Sequence, residues 1–98
     1  MRLDVVWWDL DVAGPGLDAL RADLSAEAVA AWAAVPGLRL KLWLADPDGC
    51  RWGAVMLWDP DRPEPDRLPP NRAARLIGPV PAHRLQFDVE AAVGTGDR

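Results

Sequence analysis

Regular alternation in one nine-residue stretch constrains the fold more than any other feature of the chain. Residues 36–44 read PGLRLKLWL. Leucines fill every second position: Leu38, Leu40, Leu42 and Leu44. A period of two is typical of a β-strand with two unlike faces. We therefore expect the leucines to face a core, whereas Arg39, Lys41 and Trp43 share the other face.

Three more segments favour strands because they alternate or are rich in Val, Leu and Trp. They are residues 2–12, 51–59 and 83–90. Asp46-Pro47-Asp48-Gly49 precedes the second of them, and its composition predicts the turn of a hairpin.

A helix is predicted between the first two strands. Residues 17–35 carry apolar side chains at three- and four-residue spacing, which indicates an amphipathic helix. Ser25 followed by Glu27 could also be a new N-cap, so one bent helix and two separate pieces both remain open. Pro36-Gly37 ends this helical region.

The region before the last strand is rich in proline. Five prolines between residues 60 and 70 exclude a continuous helix or a central strand and favour an extended connection. Residues 71–77 can form a short helix. The resulting order, β-α-β-β-α-β with a reduced second helix, predicts an α+β, ferredoxin-like antiparallel sheet with helices on one face. We expect this domain to span residues 1–93, followed by a disordered tail over residues 94–98.

Composition limits the class of protein. With 98 residues and a formal net charge of −4, the chain is expected to be one soluble domain that binds no nucleic acid. Its apolar runs are shorter than the ~20 residues of a membrane span and it lacks a leader-like start, so we expect a cytoplasmic protein that binds no membrane. Cys50 and His83 are the only residues of their types. Neither a disulfide nor a metal site is therefore expected, and no cofactor fingerprint is found.

The tryptophans point to a partner. The chain has six, and five lie on predicted strands. Trp7 and Trp8 are consecutive, so their side chains point to opposite faces of the sheet. Helices can cover one face only, and indoles on the other imply burial against something else. The simplest partner is a second copy of the chain, in a homodimer.

Several motifs together resemble the YdhR-like monooxygenases of the dimeric α+β barrel superfamily. They are Gly14-Pro15, Pro36-Gly37-Leu38 with Lys41-Leu42-Trp43, Gly53 with Leu57-Trp58, and Phe87-Asp88-Val89. The likeness extends from residue 3 to roughly residue 93. It implies a homodimer whose sheets pack face to face and enclose a pocket in each half. Relatives in the superfamily include cofactor-free oxygenases of quinols and polyketide-like aromatics. The prolines of residues 60–70 stand where the family has a full second helix.

The face bearing Arg39, Lys41 and Trp43 is then expected to line the barrel interior. An aromatic cavity with a cation suits a phenolate or a hydroquinone. The residues expected to contact this substrate are Trp8, Arg39, Trp43, Trp52 and Trp58. Lys41 would stabilise the substrate anion, and His83 would serve as the base.

Each of these residues also has a structural interpretation. Lys41 could pair with a carboxylate at the dimer seam, His83 could be a solvated side chain, and the tryptophans could be core packing. Two functions therefore remain open. One is a cofactor-independent monooxygenase of small aromatic substrates, and the other is a non-catalytic ligand-binding or scaffold protein of the same dimeric fold.

Overall fold

The computed structural model describes residues 1–10, 16–60, 68–69 and 83–94 of the chain. Its elements, in chain order, are β1 Arg2–Asp9, α1 Leu17–Asp23, α2 Ala26–Ala33, β2 Leu38–Asp46, β3 Arg51–Trp58 and β4 His83–Asp88. The predicted helix over residues 71–77 and the last four residues of the predicted tail lie outside the described residues. So does most of the proline-rich connection.

The strands form an antiparallel sheet in the order β2-β3-β1-β4. The register places Val5 of β1 between Val55 of β3 and Leu85 of β4. β1 and β3, the two strands with the greatest share of buried residues, are at the centre of the sheet. β2, which forms the hairpin with β3, and β4, the last strand, are at its edges. The predicted antiparallel sheet is confirmed, and this small α+β structure is compatible with a ferredoxin-like fold.

The helical region consists of two pieces. Ser25 is the N-cap of α2, and its side-chain oxygen accepts a hydrogen bond from the backbone N–H of Ala28 at 3.1 Å. This bond satisfies one of the N–H groups that a helix start leaves without a partner. Of the two readings left open by the sequence, the broken helix is therefore right. Neither α1 nor α2 is long and apolar enough to cross a membrane.

The core lies between the helices and one face of the sheet. Its buried members are Val6, Trp8, Leu20, Trp32, Val35, Trp52, Ala54, Met56 and Trp58. The one side chain that α2 buries is Trp32, whereas most of its alanines are exposed. The other buried indoles, Trp8, Trp52 and Trp58, come from the two central strands.

The structure reverses the predicted assignment of the two sheet faces. Trp43 packs against the core, and Lys41 lies against Trp32 of α2, so the face that bears them is covered by the helices. Leu40 and Leu42, which were expected to face the core, are 48% and 47% exposed. The physical reason is that Trp8, Trp52 and Trp58 of the central strands share this face, and covering these indoles removes more apolar area from water than covering the leucines would.

The alternation within β2 is also interrupted. Leu38 pairs with Trp58, yet Leu40 pairs with Leu57, so the register shifts between them. Arg39 occupies this irregularity, and Leu38 packs against the core on the helix side. The prediction that Leu38 shares a face with the later leucines of the strand is therefore wrong.

Candidate functional site

The sheet face opposite the helices, called the open face below, is largely apolar. Two rows of side chains cross all four strands: Leu40, Leu57, Leu3 and Phe87 in one, and Leu42, Val55, Val5 and Leu85 in the next. The side chains on the edge strands are the most exposed, with Leu85 at 47% and Phe87 at 51%. No described helix covers this face.

A depression of about 400 Å³ lies in the third row of the open face. Gly53 is placed there between Leu44 and Trp7. A Cβ atom on Gly53 would collide with the carbonyl oxygen of Val6 and would lie 2.8 Å from the Cβ of Trp7. The strand backbone therefore forms the floor, and Val5, Trp7 and Leu44 contribute to the walls. Its volume falls in the range of small-molecule sites.

An ion pair lies at the rim of the depression. Arg51 Nε is 2.9 Å from Asp46 Oδ2, and both residues contribute to the lining. The backbone N–H of Gly49, which donates to Asp46 Oδ1 at 3.0 Å, and the Arg51 guanidinium hold the pKa of the Asp46 carboxyl below its usual value. These contacts favour the charged form of the carboxylate, which pairs with the guanidinium beside the depression.

A second polar pair, His83 and Asp9, lies on the side of Trp7 that faces away from the depression. The His83 ring stacks on the Trp7 indole with ring centroids 4.6 Å apart, and His83 Nε2 is 2.8 Å from Asp9 Oδ2. In the tautomer that carries hydrogen on Nε2, the Nδ1 atom is left as a proton acceptor. His83 does not line the depression, because Trp7 lies between them in the row. Among the described residues this pair belongs to no cluster that could hold a metal ion.

Lys41 lies on the other side of the sheet. Its Nζ atom is 3.1 Å from the centre of the Trp32 ring and 4.9 Å from that of Trp43. Burial lowers the pKa of Lys41 from 10.5 to about 7, although the electron-rich faces of the two indoles favour the ammonium form. Lys41 and His83 occupy opposite edges and opposite faces of the sheet. The structure therefore does not bring the two predicted catalytic residues together on one small ligand.

The remaining predicted contacts are distributed over the molecule. Trp8, Trp52 and Trp58 are only 3–5% exposed and belong to the core, although Trp52 also contributes to the lining of the depression. Arg39 is on the surface, with its Nε atom 2.7 Å from Asp59 Oδ1.

Sequence reasoning missed the residues that shape the depression. Its proposed site contained neither Trp7 nor Arg51, and it gave Gly53 no role in a site. One signal was present, since an isolated glycine within a strand pattern often marks a close approach of backbone. The pairing of Gly53 with Trp7 requires the register of β1 against β3, which the sequence does not reveal.

Replacing Gly53 by Ala is expected to lower the free energy of unfolding by about 1–3 kcal/mol. The added Cβ would meet the Val6 carbonyl oxygen and the Trp7 side chain, and the backbone would have to move. Urea denaturation measures the change. The matched control is Gly94→Ala, where a Cβ would meet nothing within 4 Å. Equal midpoints for the two variants would contradict the close approach at Gly53.

No protein-family model and no curated protein matches the chain. Its similarity to YdhR-like monooxygenases therefore remains a resemblance of motifs, and its function has to be inferred from the chemistry of the sites described above.

Proposed function

We propose that the chain works as a cytoplasmic homodimer that binds a small planar aromatic anion between its two sheets. In this arrangement, a dimeric α+β barrel, the open faces of two copies pack against each other. Neighbouring strands lie ~4.8 Å apart, and each residue adds ~3.4 Å along a strand. Four strands of about six residues each therefore give the open face a projected area of roughly 400 Å². Patches of that size on a monomer are often functional.

Packing of two open faces would close the depression. Facing sheets lie ~10 Å apart, and the side chains of both fill the space between them. Gly53 contributes no side chain, so space remains above it. Trp7 offers a flat aromatic wall, and Arg51 provides a cation at the rim. This combination of apolar cavity, indole and cation carries the proposal, because it suits an aromatic carboxylate or phenolate.

Calorimetric titration with naphthoate and with its neutral analogue naphthylmethanol tests the binding proposal. Arg51→Gln should weaken naphthoate binding about tenfold, the effect of one charged hydrogen bond, and leave the neutral analogue unaffected. The matched control is Arg84→Gln, since Arg84 pairs with Val6 and lies on the opposite face of the sheet. Equal naphthoate affinities for the two variants, or no binding by the folded wild type, would contradict the proposal.

A cofactor-independent monooxygenase is a second candidate, favoured by the His83–Asp9 pair. Such an enzyme converts an acidic CH₂ group of an aromatic substrate and O₂ into C=O and H₂O, with all of the electrons coming from the substrate. Nδ1 of His83 would accept the proton from the CH₂ group, and Asp9 would stabilise the imidazolium that forms. The substrate carbanion then reacts with O₂ to a hydroperoxide, which loses water. The reacting carbon would have to extend past Trp7 toward His83.

Oxygen uptake separates the two candidates. We would measure it over anthrone-like compounds, which carry such a CH₂ group, with heat-denatured protein as the blank. Catalysis would establish the oxygenase, and His83→Gln should then lower turnover by about 10²–10⁴, whereas Arg84→Gln should not. Binding without uptake would identify a non-catalytic ligand-binding protein.

A further inference from the structure

Lys41 occupies an unusual environment for a charged side chain. It lies on the helix-covered face of β2, and its Nζ atom is placed over the ring of Trp32 with Trp43 beside it. In the part of the chain that the structure describes, no carboxylate oxygen lies within 4.0 Å of Nζ. Within the described ranges, the amine therefore has indoles, rather than an anion, as its immediate neighbours.

The choice of residue at this position is chemically specific. Lys41 is the only lysine among the eleven Lys and Arg residues of the chain. Arginine stays protonated in any protein environment, whereas a desolvated lysine can release its proton. The one lysine of the sequence lies at a position where burial favours the neutral form of the amine. A desolvated amine of this kind is an activated nucleophile.

We propose that Lys41 forms an imine with small aromatic aldehydes, a reactivity separate from the ligand site on the open face. The Nζ lone pair attacks the carbonyl carbon to give a carbinolamine. This intermediate loses one water molecule, so amine and aldehyde become imine and water without any oxidant or reductant. Once protonated, the imine is again a cation over the two indoles and keeps the favourable cation–π contact. The flat face of Trp43, which is only partly buried, also favours an aromatic substituent on the carbonyl.

The chain makes the test simple, because its amines are Lys41 and the N-terminus only. The native protein is incubated at neutral pH with benzaldehyde and sodium cyanoborohydride, and the benzylated peptides are quantified by mass spectrometry. Acetyl-lysine in the same tube provides an ordinary amine as reference. We expect Lys41 to be labelled about tenfold or more faster than this reference, because a far larger fraction of it is neutral.

An internal control comes from Arg39→Lys, which adds an exposed amine two positions away on the same strand. Lys41 should be labelled faster than position 39 within one molecule. Lys41→Arg should confine labelling to the N-terminus. Labelling of Lys41 at or below the rate of either reference amine, in protein shown to be folded, would overturn the proposal. The outcome does not depend on naphthoate binding or oxygen uptake, so it can fail independently of the proposed function.

Discussion

Replacing Leu42 by Glu is expected to convert the proposed dimer, with twice the 10.7 kDa mass of the chain, into a folded monomer. Leu42 lies within the open face and is 47% exposed in the single chain, so the monomer loses few contacts. In the proposed dimer, each of the two faces would carry the new carboxylate into an apolar interface. Burying an unpaired charge costs several kcal/mol, and two-fold symmetry doubles the cost.

Light scattering coupled to size exclusion measures this change directly. The matched control is Ala30→Glu, which places the same charge on an exposed position of α2 and should leave the mass of the dimer unchanged. Tryptophan fluorescence should show that Leu42→Glu keeps its core, since the core indoles lie on the other face of the sheet. A wild-type protein with the mass of one chain would contradict the dimer, and equal masses for both variants would exclude the open face as its interface.

The strands were predictable because their signal is local. Alternation and β-branched or aromatic content located all four strands, and β3 and β4 begin at their predicted residues. The break in the helical region was one of two readings, and the Ser25 cap decides between them. Each of these features depends on neighbours within a few residues. The antiparallel sheet then follows from element order and the usual rules of connection.

The assignment of faces was not predictable from alternation. Both sides of β2 carry large apolar residues, so a period of two does not say which side the helices cover. The deciding factor lies in the neighbouring strands: Trp8, Trp52 and Trp58 share a face with Trp43, and the helices bury that face. The contact of Lys41 with Trp32 and the depression at Gly53 are likewise products of tertiary packing. The sequence therefore singled out Lys41 but placed it on the wrong face of the sheet.

Lys41 should also make the stability of the protein depend on pH in an unusual direction. Below pH 7, both the native and the unfolded chain carry the ammonium, and the full cost of burying it is present. Above its native pKa of about 7 the buried amine loses its proton, whereas the unfolded chain keeps it up to about 10.5. The unfolded state then binds more protons, so the free energy of unfolding rises with pH. The gain over this window is on the order of 3 kcal/mol, less than full burial would give because the indoles stabilise the cation.

Lys41→Met isolates this contribution, since methionine has a similar length and packs well against indoles. Urea unfolding of both proteins from about pH 6 to about pH 10 gives a difference curve in which every other group cancels. Wild type minus variant should rise steadily across the window, and the variant should be the more stable protein at the acidic end. Arg2 and Asp4 of β1, which lies two strands from β2, are charged residues on the same face and are present in both proteins. A flat or falling difference would mean that the amine keeps its proton in the native state. Imine formation would then also be slower than expected, because only the neutral amine attacks the carbonyl carbon.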